Sequence, residues 1–270
     1  MKKLTRRQFI KGGSLASLGL LVLDAFWIEH FFIEWNTFNI SNSKDTPIRL
    51  LQISDLHLKT IKYQHKRLAK KINENKPDLL FFTGDSIDHN DNLMLFDEFL
   101  GLISEDIPKY AITGNWEYWG DVNLEELKTI YHKNNCKLLI NEHETIQLYE
   151  RKISIIGVDD YVGGDPNLRD AIEGITDSDY NIVLAHCPGY KEVIQKYASR
   201  LKTDLVLSGH THGGQLSFFG FVPFKPQGSG HYLKGWYTKS EPKMYVSKGI
   251  GTSILPIRFG ARSELVEILI

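Results

Sequence analysis

The sequence predicts an α/β protein whose strand ends converge on one crevice, and three observations carry that prediction. From Ile48 onward strand-like and helix-like patterns alternate, as they do where helices cover a sheet. Five apolar runs each end in residues that bind metals well. Residues 48–54 run into Asp55-Leu56-His57, 79–83 into Gly84-Asp85, 110–113 into Gly114-Asn115-Trp116-Glu117, 182–185 into His186, and 205–208 into Gly209-His210-Thr211-His212. Ligands bind outside the carboxyl ends of strands in open α/β sheets, so these residues point to one shared site. The third observation is size: 270 residues with 42% apolar and 24% charged side chains can bury a substantial core.

Taken in chain order, the first element is a separate object. Residues 1–11 hold five basic side chains and no acid, and an apolar stretch follows over 12–23, the layout of an export signal. Arg6-Arg7-Gln8-Phe9-Ile10 resembles the bacterial twin-arginine signal. No small-x-small cleavage pattern follows Leu23, so a short retained anchor is expected. Asp24, Glu29 and Glu34 make a full span through residue 35 costly, at about 2.5–3.5 kcal/mol for an acid near the helix centre. Phe26, Trp27, Phe31, Phe32 and Trp35 suit the membrane interface instead. The expectation is therefore a signal or membrane-associated segment over 1–35, a polar linker over 36–47, and one folded domain over 48–270. Basic residues before the apolar run place that domain outside the cytoplasmic membrane, with the twin-arginine machinery and the membrane surface as partners.

In the body, Tyr63–Asn75 carries Leu68, Ala69 and Ile72 among lysines and ends before Pro77, which reads as an amphipathic helix. Residues 93–103 and 124–131 read as further helices, the second opened by a capping box of Asn123 with Glu126. Residues 138–140, 145–148 and 153–158 are short strands of a hairpin or meander, and 190–197 a helix between two strands. Past His212, Gly and Pro split the chain into short runs, and 245–247 and 265–269 look like antiparallel strands. A net charge of −1 offers nothing to bulk nucleic acid. Cys136 and Cys187 are too few for a disulfide scaffold and read as free core thiols. The protein is expected to act as a monomer.

Asp55 and His57 are two apart, as are His210 and His212, so in an extended segment each pair projects to one side. Imidazole, carboxylate and amide donors suit Zn, Mn, Fe or Ni, whereas a structural zinc site would gather thiolates. Asp55, His57, Asp85, Asn115, His186, His210 and His212 exceed what one tetrahedral ion needs. Two ions sharing a bridging carboxylate would use them all.

Asp55-x-His57, Gly84-Asp85, Gly114-Asn115, His186 and Gly209-His210-x-His212 resemble, in order and spacing, the calcineurin-like metallophosphoesterases. Gly213-Gly214-Gln215 and the run from Tyr245 to Arg258 are similar to the twin-arginine-exported phosphodiesterases and their relatives acting on UDP-2,3-diacylglucosamine. The resemblance implies a four-layer αββα sandwich of two mixed sheets flanked by helices, with two divalent metal ions at the strand ends. It implies a first ion on Asp55, His57, Asp85 and His212, with Asp85 bridging to a second on Asn115, His186 and His210. The nucleophile would be a water between the ions, with Asn115 and His186 as catalytic residues beside it. A metal-dependent hydrolase of phosphodiester or pyrophosphate bonds follows, acting on a small-molecule, lipid-linked or nucleotide-sugar-like phosphate. A phosphomonoesterase or a non-hydrolytic metal-binding envelope protein is the alternative.

The family commonly places a histidine acting near the leaving group after the metal-binding asparagine; here it is Trp116. An indole N–H is no acid at useful pKa, so assistance typically worth about 10²–10⁴-fold is missing. That tilts the expectation toward bonds whose leaving group needs no proton. Residues 115–119 and 218–224 are rich in aromatics, which read either as core packing, the commoner origin of such runs, or as an apolar rim beside the metals. His231 is a candidate phosphate contact, while His30, His65, His89, His132 and His143 fit no motif and read as surface residues.

Overall fold

The strands alternate faces with period two, and this alternation builds three separate apolar layers. The computed structural model describes residues 5–25, 29, 32–41, 46–217 and 221–270. Within them, β1 (Glu34–Asn39), β2 (Arg49–Ile53), β3 (Leu79–Thr83), β4 (Lys109–Ile112), β5 (Cys136–Leu138) and β12 (Glu264–Leu269) form one six-stranded sheet, ordered β1-β12-β2-β3-β4-β5. The second six-stranded sheet is β10-β11-β9-β8-β7-β6, built from β6 (Glu142–Leu148), β7 (Arg151–Gly157), β8 (Tyr180–Leu184), β9 (Leu205–Ser208), β10 (Gly235–Tyr237) and β11 (Lys243–Val246). Both are mixed: β2 to β5 run parallel, as do β7, β8, β9 and β11, while β12 is antiparallel to β2 and β6 to β7.

Leu50, Leu79 and Phe81 from the first sheet meet Ile155, Ile182 and Leu207 from the second in the central layer. Their neighbours Leu51, Leu80 and Phe82 face the other way, onto α2 (Tyr63–Asn75), α3 (Leu93–Leu100) and α5 (Leu124–Lys133). On the far side Ile156, Val183 and Val206 pack with Leu168 of α6 (Leu168–Ala171) and Ile194 of α7 (Lys191–Lys196). Helices, sheet, sheet, helices: this is the four-layer sandwich. Asn123 caps α5 by accepting from the Glu125 and Glu126 amides, at 3.2 Å each. Its own amide donates to Asn90 rather than to Glu126, so only half of the expected capping box forms.

Two expectations change. Residues 36–39 are not linker but the end of β1, which pairs in parallel with β12 along its whole length. Its sequence, Glu-Trp-Asn-Thr-Phe-Asn, has no apolar run because an edge strand is only half-buried. Residues 145–148 and 153–157 form the hairpin, but the strand at 136–138 belongs to the other sheet, where it closes the parallel series. The strands at 243–246 and 264–269 each have an antiparallel partner, in different sheets.

N-terminal to β1, α1 (Arg6–Leu23) is a separate helix with exposed Phe9, Ile10 and Leu15. Among the described residues no helix is long and apolar enough to cross a membrane. Phe26, Trp27, Phe31 and His30, with residues 42–45 of the expected linker, lie outside the described residues. Trp35 is engaged with the body: its Nε1 donates to Glu267 at 3.1 Å and the Lys71 ammonium sits 4.2 Å from its ring centroid. His65, read as a surface residue, is buried against Phe99, and that burial pushes its imidazole below its ordinary pKa. Cys136 and Cys187 are buried free thiols.

Candidate metal centre

The carboxyl ends of β2, β3, β4, β8 and β9 open on one edge of the sandwich, and the loops leaving them interlock. The amides of Asp55, His57 and Leu58 donate to the carbonyls of Gly84, Asp85 and Ser86 at 3.0–3.1 Å, which extends the β2–β3 pairing into the loops. Five residues there take a left-handed backbone: Asp55 (φ 50°), His57 (43°), Asp85 (53°), His210 (73°) and His212 (50°). Glycine sits beside them where backbones must touch. A β-carbon on Gly114 would lie 2.3 Å from Asp85 Oδ1, and one on Gly209 would lie 2.4 Å from Asp55 Oδ2.

Two clusters result, Asp55, His57, Asp85 and His212, and Asp85, His186 and His210, all buried and each with its ligand atoms within 4.8 Å of one another. Asp85 belongs to both. Asn115, also buried, joins the second set through Oδ1, 2.9 Å from His210 Nδ1. The structure thus gathers all seven sequence-predicted ligands. His231 is not among them: it is exposed, pairs with Glu192 at 3.8 Å and packs on Tyr232. Of the predicted aromatic rim, Trp119, Phe221 and Phe224 are exposed, and residues 218–220 lie outside the described residues.

The hydrogen bonds show that these groups fit cations. His186 Nδ1 donates to the Thr83 carbonyl at 2.8 Å, so its Nε2 turns a lone pair toward Asp85 Oδ2, 3.1 Å away. His210 Nε2 donates to the Gln227 carbonyl at 2.6 Å, which turns the Nδ1 lone pair toward the Asn115 amide oxygen. Acceptor faces acceptor in both, an arrangement that a bound cation satisfies. Each carboxylate divides its oxygens likewise. Asp55 Oδ1 accepts from the His210 amide at 2.8 Å and leaves Oδ2 buried with no hydrogen bond. Asp85 Oδ1 accepts from the Trp116 amide at 2.9 Å and leaves Oδ2 facing His186 at 3.1 Å and His57 at 3.7 Å. One oxygen builds the loop; the other is offered to ions.

The field is strongly negative at its centre. Burial alone would lower His57 and His186, but Asp88 and Asp85 outweigh it at His57, and Asp85 at His186, so both sit above the ordinary imidazole range. Burial, with the neighbouring imidazoles, holds His210 and His212 below it. Burial opposes ionisation of Asp85, yet His186 and His57 keep its carboxyl below the usual range. Such a pocket attracts cations.

Sequence reasoning missed the supporting shell. Glu117 accepts from the amides of Gly114 (2.8 Å), Asp85 (3.1 Å) and Ser86 (2.6 Å), tying the β3 and β4 loops together. Burial, then the Asp85 charge, pushes its carboxyl up to about 7. Its position, three residues into the short helix α4 (Asn115–Trp119) from Gly114, is a capping-box spacing that could have revealed it. Asp88 accepts from His57 Nδ1, and Arg258, fully buried, brings Nη2 within 3.3 Å of His212 Nδ1. Asp159, also at a strand end, takes bonds from the Thr113 and Tyr118 hydroxyls and so serves the loops. Tyr118 is held on Asp159, while Trp116 sets its ring edge-on to His57 at 5.9 Å and to Trp119 at 5.7 Å. Beside His57 opens a groove of about 260 Å³, walled by Ile33, Leu56, Lys59, Lys62, Ile254 and Pro256.

Comparison with known proteins agrees with this geometry. The family model described as Calcineurin-like phosphoesterase matches residues 48–214. The chain is similar to the metallophosphoesterase YkuE of Bacillus subtilis, 32% identical over 98% of this chain and 97% of that one. It is also similar to the phosphodiesterase YaeI of Escherichia coli, 29% identical over 81% of this chain and 80% of the other. The fold is shared with the solved TT1561 of Thermus thermophilus, at a TM-score of 0.50 and 13% identity over 76% of this chain and 91% of that one. A family match over more than half the chain, with the candidate ligands buried together at one strand-end edge, makes this protein a member of the calcineurin-like metallophosphoesterases.

Proposed function

We propose that the protein hydrolyses phosphodiester or pyrophosphate bonds whose leaving group departs without a proton. The observation that carries this reading is Trp116. Its amide serves Asp85 and its ring packs on His57, so an indole stands where a proton donor would meet the leaving group. Two divalent ions held by the seven ligands would supply Lewis acidity toward phosphoryl oxygens and lower the pKa of water. The chain's own part is to fix geometry. Asp55, His57, Asp85 and His212 would hold one ion, and Asp85, Asn115, His186 and His210 the other. Glu117 keeps Asp85 and Asn115 in register by binding the amides around them. Asp88 and the Thr83 and Gln227 carbonyls fix three of the four imidazole rings.

The groove at His57 supports a substrate larger than a phosphate, because its wall mixes lysines with aliphatic side chains. A lipid-linked or nucleotide-sugar-like phosphate fits that mixture. The basic, apolar N-terminal stretch supports export by the twin-arginine route and attachment at the outer face of the cytoplasmic membrane. Purified protein should cleave a nucleoside diphosphate ester or an aryl diester much faster than a simple alkyl phosphodiester. Equal rates on the three would overturn the leaving-group reading. Equal rates on a lipid-linked and a water-soluble substrate with one head group would remove the lipid from it.

A further inference from the structure

The loop between β11 and β12 frames the first ligand set. Ile250 and Gly251 donate their amides to the carbonyls of Ser54 (3.0 Å) and Asp55 (2.7 Å). Gly249 packs so closely on Asp55 that an added β-carbon would lie 2.6 Å from the Asp55 β-carbon. Farther along, Phe259 exchanges backbone bonds with Gln215 (2.8 Å) and Ser217 (2.7 Å), just after His212. Arg258 closes the loop on itself: its guanidinium donates to the carbonyls of Lys248 (2.8 Å), Ala261 (2.9 Å) and Gly251 (3.0 Å), and it reaches His212.

The other face of this loop meets Ala25 and Glu29. Ala25 is buried, and its carbonyl accepts from the Arg258 amide at 3.1 Å. Glu29, 5% exposed, spreads its carboxylate over the amides of Gly260 (2.7 Å) and Ala261 (3.1 Å), while its carbonyl accepts from Ser263 (3.3 Å). A buried carboxylate is retained only where donors compensate it, and here the donors are the loop's own backbone. Glu34 of β1 adds a second tie, pairing with Lys248 at 2.9 Å.

We propose that Glu29 is a positioning residue for the metal centre: it clamps residues 260–261 and so steadies Arg258, which reaches His212 directly and Asp55 through Lys248 and Gly251. The inference rests on the two-ion reading of the site. His186, His210 and Asn115 have their own supports, so removing Glu29 strikes one set only.

The test titrates Mn²⁺ into the metal-stripped full chain by calorimetry. Wild type should bind two ions; Glu29→Ala, with its fold checked by circular dichroism, should weaken one ion on the order of 10–100-fold and leave the other. In a His186→Ala background the same substitution should weaken the remaining ion, and in an Asp55→Ala background it should change nothing. Two ions bound with unchanged affinity, or two ions weakened equally, overturn the proposal. If Glu29→Ala does not fold, Glu29→Gln, which keeps the shape and loses the charge, decides by the same criteria. Wild type binding fewer than two ions overturns the two-ion reading and this inference with it.

Discussion

The two ligand sets share Asp85 and differ in what steadies their imidazoles. In the second set, His186 and His210 lean on backbone carbonyls of Thr83 and Gln227, groups that no side-chain substitution removes. In the first, His57 leans on the Asp88 carboxylate and His212 lies beside the Arg258 guanidinium. Arg258 belongs to the loop that Glu29 and Glu34 of β1 hold, and Asp88 to the loop that follows β3. The imidazoles of one set are thus steadied by main-chain carbonyls and those of the other by charged side chains. The first set is the one that substitution, truncation or conditions reach.

The predictions set the two sets apart. Asp85→Ala removes the shared ligand and should erase the distinction: both ions weaken, and turnover falls on the order of 10³-fold or more, the equivalent of several kcal/mol of Lewis-acid stabilisation. Metal content by mass spectrometry and steady-state rates check it, and retention of both ions would refute the bridging assignment. Trp116→His acts beside the first set, where the indole meets His57. Alkyl diester hydrolysis should rise by about 10²-fold while activated aryl esters change little. A uniform change across both substrate types would mean that the residue does not face the leaving group.

Asp88→Asn unseats His57 alone and should weaken the first ion about 10–100-fold with the second unmoved. Titration with Mn²⁺ in the His186→Ala background isolates that ion. The smallest effect lies at the β1 tie. Burial would raise Glu267, but Asn75, Trp35, Arg49 and Thr37 all donate to it and hold its carboxyl at about 2. A carboxyl with a depressed folded-state pKa contributes stability that is present above its unfolded value of 4.5 and is lost as pH falls through about 2. Discounted for solvent screening to about 1 kcal/mol, this should make wild type melt about 2–4 °C above Glu267→Gln at neutral pH. The gap should close toward pH 2 in thermal melts; a gap that persists in acid would show that the side chain matters for packing and not for charge.

Much of this was legible because function here sits where patterns end. An apolar run terminating in Asp, Asn or His announces both a strand and a ligand, so the candidate ligands and the α/β class could be read from residues alone. The supports could not be read in this way. Glu29 lies 231 residues from Gly260 and Arg258 lies 46 from His212, and no periodicity links such pairs. Trp35 looked like a membrane-interface residue and Glu29 like an acid that merely opposes a span; only the fold shows that they face Glu267 and the Gly260 amide. Asp159 ends a strand as Asp85 does, and only its hydrogen bonds separate the loop brace from the ligand.

The left-handed backbone at Asp55, His57, Asp85, His210 and His212 has a consequence for how such a centre persists over generations. Holding a residue with a β-carbon there costs roughly 1–2 kcal/mol, a cost that glycine escapes and asparagine largely escapes. A lineage screened only for thermal resistance would therefore drift at its three strained histidines toward small, conformationally tolerant residues, gaining robustness as it lost its ions. Histidine survives at these positions only while catalysis is under selection, and a directed-evolution campaign that ignores turnover would be expected to delete the site first.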